Sequence, residues 1–153
     1  MGNVTQAGLS AAEARDLQRL AGIIVPADDG YHVPGADDPA IFADIVGTLG
    51  RDTGDVQAAL AALRGLAGGA FAALDDARAE PVAMQLLARG GRPVATLGRV
   101  VLAAYYRDDR VVQSLGREAR PPFPKGHVLP AGDWSLLDAV KDRPQLWRDD
   151  RRG

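Results

Sequence analysis

The sequence predicts an all-α protein, a small bundle of about five helices with an extended Pro-rich C-terminal tail. Three observations carry that expectation. Apolar side chains recur at helical spacing in five segments, and capping residues, glycines and prolines bracket those segments. No run alternates apolar and polar residues with the period of two that a half-buried strand requires.

The first helix follows the capping box Ser10-Ala11-Ala12-Glu13, in which Ser10 accepts from the third backbone N–H while Glu13 reaches back. Leu17, Leu20, Ala21 and Ile24 then form one apolar stripe. Pro26 ends the helix, because it pushes Val25 out of the α region. Residues 26–38 read as a turn-rich loop carrying four aspartates, the last of which, Asp38, caps a second helix with Pro39 at its first position. Ile41, Phe42, Ile45, Val46 and Leu49 give that helix its buried face, and Gly50 is expected to end it. From Asp52-Thr53 onward, Val56, Leu60, Leu63, Ala67, Phe71 and Leu74 keep helical spacing straight through Gly68-Gly69. That continuity predicts one long, bent helix, despite a cost of about 1 kcal/mol for each glycine relative to alanine. Its glycine and alanine surfaces would let a neighbouring helix approach closely. Glu80-Pro81 is expected to open a short fourth helix with Val82, Leu86 and Leu87, closed by Gly90-Gly91. Pro93 opens a fifth, with Val94, Leu97, Val101, Ala104 and Tyr105 on one face. Asp108 or Asp109 caps a last turn, Arg110 to Leu115, that stops at Gly116.

The character then changes, which divides the chain into a helical domain, 1–116, and a Pro/aromatic tail, 117–153, that packs on the bundle or on a partner. The tail holds five of the ten prolines, both tryptophans and Phe123. It carries eight basic and six acidic residues, against ten and fourteen before it. Tryptophan is foreign to disordered segments. Prolines pre-set an extended backbone and so lower the entropy lost on docking. Phe123, Trp134, Trp147 and Arg148 are residue types that anchor interfaces.

With 153 residues the chain is long enough for one core. A net charge of −2 lacks the basic excess of a phosphate-binding surface, so no nucleic-acid partner is expected. The absence of cysteine removes disulfides, Cys-ligated metals and thiol catalysis. His32 and His127 leave little for imidazole chemistry. No apolar run reaches the roughly 20 residues that span a bilayer, and no basic and apolar leader opens the sequence. A cytoplasmic protein without direct membrane insertion is therefore expected.

Candidate chemistry is sparse. The acidic loop 28–38 lacks the alternating order of a calcium loop. His32 with Asp28 or Asp29 has no nucleophile nearby in sequence. Gly65–Gly69 and Arg89–Arg92 match no phosphate-cradling pattern. The expectation is thus no catalytic, cofactor-binding or metal residue in this chain. At Tyr105-Tyr106-Arg107 the two readings are a core tyrosine beside an exposed one, and a site facing a partner.

Two stretches carry a resemblance. One is Leu17-Gln18-Arg19-Leu20-Ala21-Gly22-Ile23-Ile24-Val25-Pro26-Ala27-Asp28, followed by Pro34-Gly35-Ala36; the other is Ala104-Tyr105-Tyr106-Arg107-Asp108-Asp109 leading to Ser114-Leu115-Gly116, then Pro121-Pro122 and Pro124-Lys125-Gly126. Over residues 15–127 this order resembles the gluconate 2-dehydrogenase subunit 3 family, the small or gamma-type subunits of bacterial sugar and alcohol dehydrogenases. The resemblance implies a non-catalytic, chaperone-like helical subunit that binds and stabilises a large flavin-dependent dehydrogenase of the glucose–methanol–choline type. It places FAD in that partner and none here. Tyr105, Tyr106, Arg107, Phe123, Trp134, Trp147 and Arg148 are the candidate partner interface. The sequence departs from the family in its lack of an export signal and of cysteine. The alternatives are a ligand-binding or enzymatic helical module with a pocket near Tyr105 and Tyr106, lined also by His32 and the acidic loop, and a self-associating regulatory bundle.

Overall fold

The computed structural model describes residues 8–119, 131–141, 143 and 144. The chain divides into two compact units, Met1–Ala119 and Arg120–Gly153. Among the described residues every regular element is helical, apart from an isolated antiparallel bridge between Asp28 and Val33. The first unit holds α1 (Ala11–Ile24), α2 (Pro39–Gly47), α3 (Thr53–Ala67), α4 (Asp76–Arg89), α5 (Gly91–Tyr105) and α6 (Asp109–Ser114).

The capping box forms as the spacing requires. Ser10 Oγ accepts from Glu13 N at 3.3 Å, and Glu13 Oε2 accepts from Ser10 N at 2.8 Å. The Ser10 hydroxyl also donates to that oxygen, which holds the Glu13 carboxyl below its ordinary pKa. At α2 the Asp38 carboxylate accepts from Ala40 N and Ile41 N. α3 is the hub, packing against α5, α4 and α1. Its Leu60 and Leu63 meet a core to which the other elements bring Leu17 and Leu20, Ile41 and Ile45, Leu86, Leu97 and Phe71, all essentially inaccessible to solvent. Each such side chain contributes roughly 1.5–3 kcal/mol by leaving water.

Five expectations are corrected. α3 does not run through Gly68-Gly69. Gly68 adopts φ +70°, a left-handed value that costs glycine nothing, and the N–H groups of Gly68 and Gly69 both donate to the Arg64 carbonyl. Phe71 re-enters the core from a separate 3-10 turn, Phe71–Ala73, so its spacing matches a helix that has already stopped. Nor do these glycines admit a neighbour: a Cβ at Gly65, Gly68 or Gly69 would meet nothing within 4 Å. Close approach occurs at Gly22, where a Cβ would lie 2.8 Å from Asp37 Cγ.

α4 is not a short helix opened by Pro81. It starts five residues earlier, at Asp76, with Asp75 accepting from Arg78 N at 2.9 Å. Pro81 sits within it, which removes the N–H that would donate to Ala77. α2 ends at Gly47 rather than Gly50. The Thr48 hydroxyl donates to the Asp44 carbonyl at 2.7 Å, and Gly50 begins a 3-10 turn instead. Finally, the described part of the tail is not wholly extended. Asp133 caps a 3-10 turn, Trp134–Leu137, that continues as the single-turn helix α7 (Asp138–Lys141).

One buried charge organises the first unit. Asp16, 1% exposed, accepts from Arg64 Nε at 2.6 Å and from Ala72 N at 2.8 Å. It ties α1 to α3 and to the 3-10 turn that carries Phe71.

Candidate functional site

A groove of about 330 Å³ opens where the loop after α1 meets the end of α5 and α6. Local chemistry sets each wall. In the loop, Asp28 and Val33 exchange backbone hydrogen bonds of 3.1 Å, and Asp28 Oδ1 accepts from Tyr31 N at 3.1 Å. His32 at the tip takes φ +54°, uncommon for a residue with a side chain, and its N–H donates to the Asp29 carbonyl. This tight turn presents Tyr31 with 73% of its surface exposed. At the end of α5, helical spacing buries Tyr105 and leaves Tyr106 57% exposed. Their rings meet edge to face, 5.3 Å between centroids and 81° between planes. Asp108 caps α6 by accepting from Arg110 N at 2.9 Å, which buries Val111 and carries Leu115 to the surface.

Tyr105 and Val111 thus form the base of the groove, and Tyr31, Tyr106 and Leu115 are its exposed apolar surfaces, with Asp28 among the lining residues. Burial first, then Tyr106 and the Asp108 and Asp28 carboxylates, raise the Tyr105 hydroxyl above its ordinary pKa. The phenol therefore stays protonated, as a hydrogen-bond donor, at neutral pH.

A second, polar groove of about 440 Å³ lies beside α2 and is lined by Asp44, Arg107, Asp108 and Arg110 among others. Here Asp44, Arg107, Asp108 and Arg110 are all held in internal ion pairs. Arg107 donates through Nε and Nη2 to Asp44 Oδ2, at 3.0 and 2.8 Å, and reaches the Thr48 hydroxyl. Arg110 grips both Asp38 and Asp108, with contacts of 2.8 to 3.2 Å. Hydrogen bonding to Arg110 is the chief reason both carboxyls fall below their ordinary pKa, and the guanidinium is raised in turn. Each of these aspartates also caps a helix, so one arginine fastens the starts of α2 and α6 together.

The sequence-derived interface residues separate accordingly. Tyr106 is exposed in the first unit and Trp134, 74% exposed, in the second. Tyr105 belongs to the core, as the first of its two readings has it, and Arg107 is engaged with Asp44. Phe123, Trp147 and Arg148 lie outside the described residues. His32 is exposed and does not line the aromatic groove, and it makes no side-chain hydrogen bond or ion pair with Asp28 or Asp29. Among the described residues no three histidine or acidic side chains gather as a metal site would require. Among them, too, no helix is long and apolar enough to cross a membrane.

Two participants escaped the sequence reading. Tyr31 had a partial signal, since an aspartate three residues before it in a glycine-containing loop is an Asx-turn pattern that shapes the local backbone but does not say which surface the ring meets. Arg110 had none, because its partner Asp38 lies 72 residues away. No protein-family model, no curated protein and no solved structure matches this chain.

Proposed function

We propose that this protein is a non-catalytic accessory subunit that binds and stabilises a flavin-dependent dehydrogenase of the glucose–methanol–choline type, with FAD held by that partner. The supporting observation is a convergence. The two stretches that resemble the gluconate 2-dehydrogenase subunit 3 family, about eighty positions apart, supply opposite sides of one groove. Pro26 and Asp28 come from the first, and Tyr105, Tyr106, Ser114 and Leu115 from the second. Exposed tyrosines flanking a base that is already packed are the kind of anchor on which protein interfaces concentrate their affinity. Trp134 supplies a further exposed aromatic in the second unit.

The mode of action is thermodynamic. A subunit that binds the folded partner but not its unfolded chain stabilises it by mass action, by about 2.7 kcal/mol when free subunit stands at 100 times Kd. Co-expression with a flavin-dependent dehydrogenase of the glucose–methanol–choline type tests the reading. A flavin-coloured complex is expected on size exclusion, weakened by Tyr106→Ala and by deletion of residues 117–153. Turnover or a bound prosthetic group in the isolated chain, or failure of the two proteins to co-purify, would overturn it.

A further inference from the structure

We infer that the aromatic groove takes an extended, proline-containing peptide segment with an arginine or lysine beside its prolines, the prolines lying against Tyr31 and Tyr106 and the cation on Asp28. The inference rests on the accessory-subunit reading only for which protein carries the segment; the binding chemistry stands on the groove alone.

Three features select that occupant. The first is shape and surface. The groove is open and carries two exposed tyrosines and Leu115 over a packed Tyr105. A polyproline II segment has three residues per turn, rigid apolar ridges and no internal hydrogen bonds. Aromatic-lined grooves accommodate those ridges, and the stiffness of the segment keeps the entropic cost of docking low. The second is donors. Backbone carbonyls in such a segment need external partners, and tyrosine pairs an apolar ring with a hydroxyl that donates. Tyr31 and Tyr106 bring two such hydroxyls to the groove.

The third is charge. Many other aspartates of the first unit are already paired with arginines: Asp16 with Arg64, Asp38 and Asp108 with Arg110, Asp44 with Arg107, Asp52 with Arg99, Asp55 with Arg92 and Asp76 with Arg19. Asp28 spends one oxygen on Tyr31 N, and no basic side chain among the described residues pairs with it or with the adjacent exposed Asp29. The groove therefore presents uncompensated negative charge beside apolar rings. That combination attracts a cation attached to an apolar segment and repels an acidic one.

The test is a titration of the full, isotopically labelled chain with a capped synthetic peptide, Pro-Leu-Pro-Pro-Leu-Pro-Arg, followed by amide NMR. Two controls are a version with glutamate replacing the arginine and a Gly-Ser peptide ending in arginine. Saturable shifts centred on Tyr31, Tyr106 and Leu115 are expected. Affinity should fall about tenfold for the glutamate peptide and at least tenfold for Tyr106→Ala. Asp28→Asn, which keeps the oxygen that accepts from Tyr31 N, should weaken the arginine peptide several-fold and leave the glutamate peptide no worse. Tyr106→Phe, retaining the ring, should lose less than Tyr106→Ala. Absence of saturable shifts, shifts confined to other surfaces, or equal affinity for the Gly-Ser control would each overturn the inference. Peptide binding without dehydrogenase co-purification would sink the accessory-subunit reading and leave this one standing; the converse would do the opposite.

Discussion

The start of α2 and the turn at Trp134 begin alike and end differently. Each opens with an aspartate whose carboxylate accepts from the backbone two residues on: Asp38 from Ala40 N at 3.0 Å, and Asp133 from Ser135 N at 3.0 Å. Each is followed by apolar side chains. In α2, Ile41 and Ile45 are essentially inaccessible to solvent, whereas in the second unit Trp134, Leu136, Leu137 and Val140 are all 46–74% exposed. The difference teaches that capping decides where a helical turn begins, while burial decides what it is worth. A helix of a few residues has little stability of its own, and most of what holds a helix in a protein comes from packing its apolar face.

The largest expected effect sharpens that contrast. Phe71→Ala removes a fully buried ring and should cost about 3–5 kcal/mol in urea unfolding, whereas Trp134→Ala should change the same measurement by less than about 0.5 kcal/mol. A comparable loss at Trp134 would break the comparison, since it would mean that this ring is covered in the folded monomer.

Next in size is the buried charge. Asp16→Ala takes from Arg64, whose Nη2 is already buried without a partner, the carboxylate that its Nε bonds, and it orphans the Ala72 N–H. A loss of about 2–3 kcal/mol in chemical denaturation is expected, with Asp16→Asn losing less because it still accepts from Ala72 N.

The smallest effect is the pH dependence around Arg110. Its hydrogen bonds depress the Asp38 and Asp108 carboxyls. Groups with lowered folded-state pKa stabilise fully above the unfolded value of about 3.9, and that stabilisation is lost as pH falls through their folded values. Because Arg110 is half exposed, solvent screening limits the gain, and Arg110→Ala should cost only about 1 kcal/mol at pH 7. Stability curves of the variant and the parent should converge in strong acid. Parallel curves down to pH 2 would remove the clamp from the account.

Much of the first unit was legible residue by residue. The Ser10 box, the Asp38-Pro39 start and the stripe Val94, Leu97, Val101, Ala104 and Tyr105 all stand where their spacing puts them. These signals are local, acting between residues within two turns of each other. The failures share the opposite property. Phe71 keeps helical phase with Leu63 and Ala67, yet the chain has reversed at Gly68, because a glycine free to take positive φ ends a helix without disturbing the apolar count. Pro81 looked like a helix start because proline is favoured there, but Asp75 had already nucleated the turn and packing of Ala79, Ala83 and Leu86 carries α4 past the missing hydrogen bond. In the candidate site, Tyr105 and Tyr106 could be found from sequence; that Tyr31 faces them could not.

Local order, then, was determined by the amino-acid sequence itself: an all-α chain, with the positions of most caps and the faces that turn inward. Only the tertiary structure decided which distant residues meet, joining Asp16 to Arg64, Asp38 to Arg110, and the loop after α1 to the end of α5. The physical reason is range. Caps and periodicity are settled by hydrogen bonds and side chains a few residues apart, whereas a groove or an ion pair between helices exists only after burial of the whole core has fixed the helices side by side.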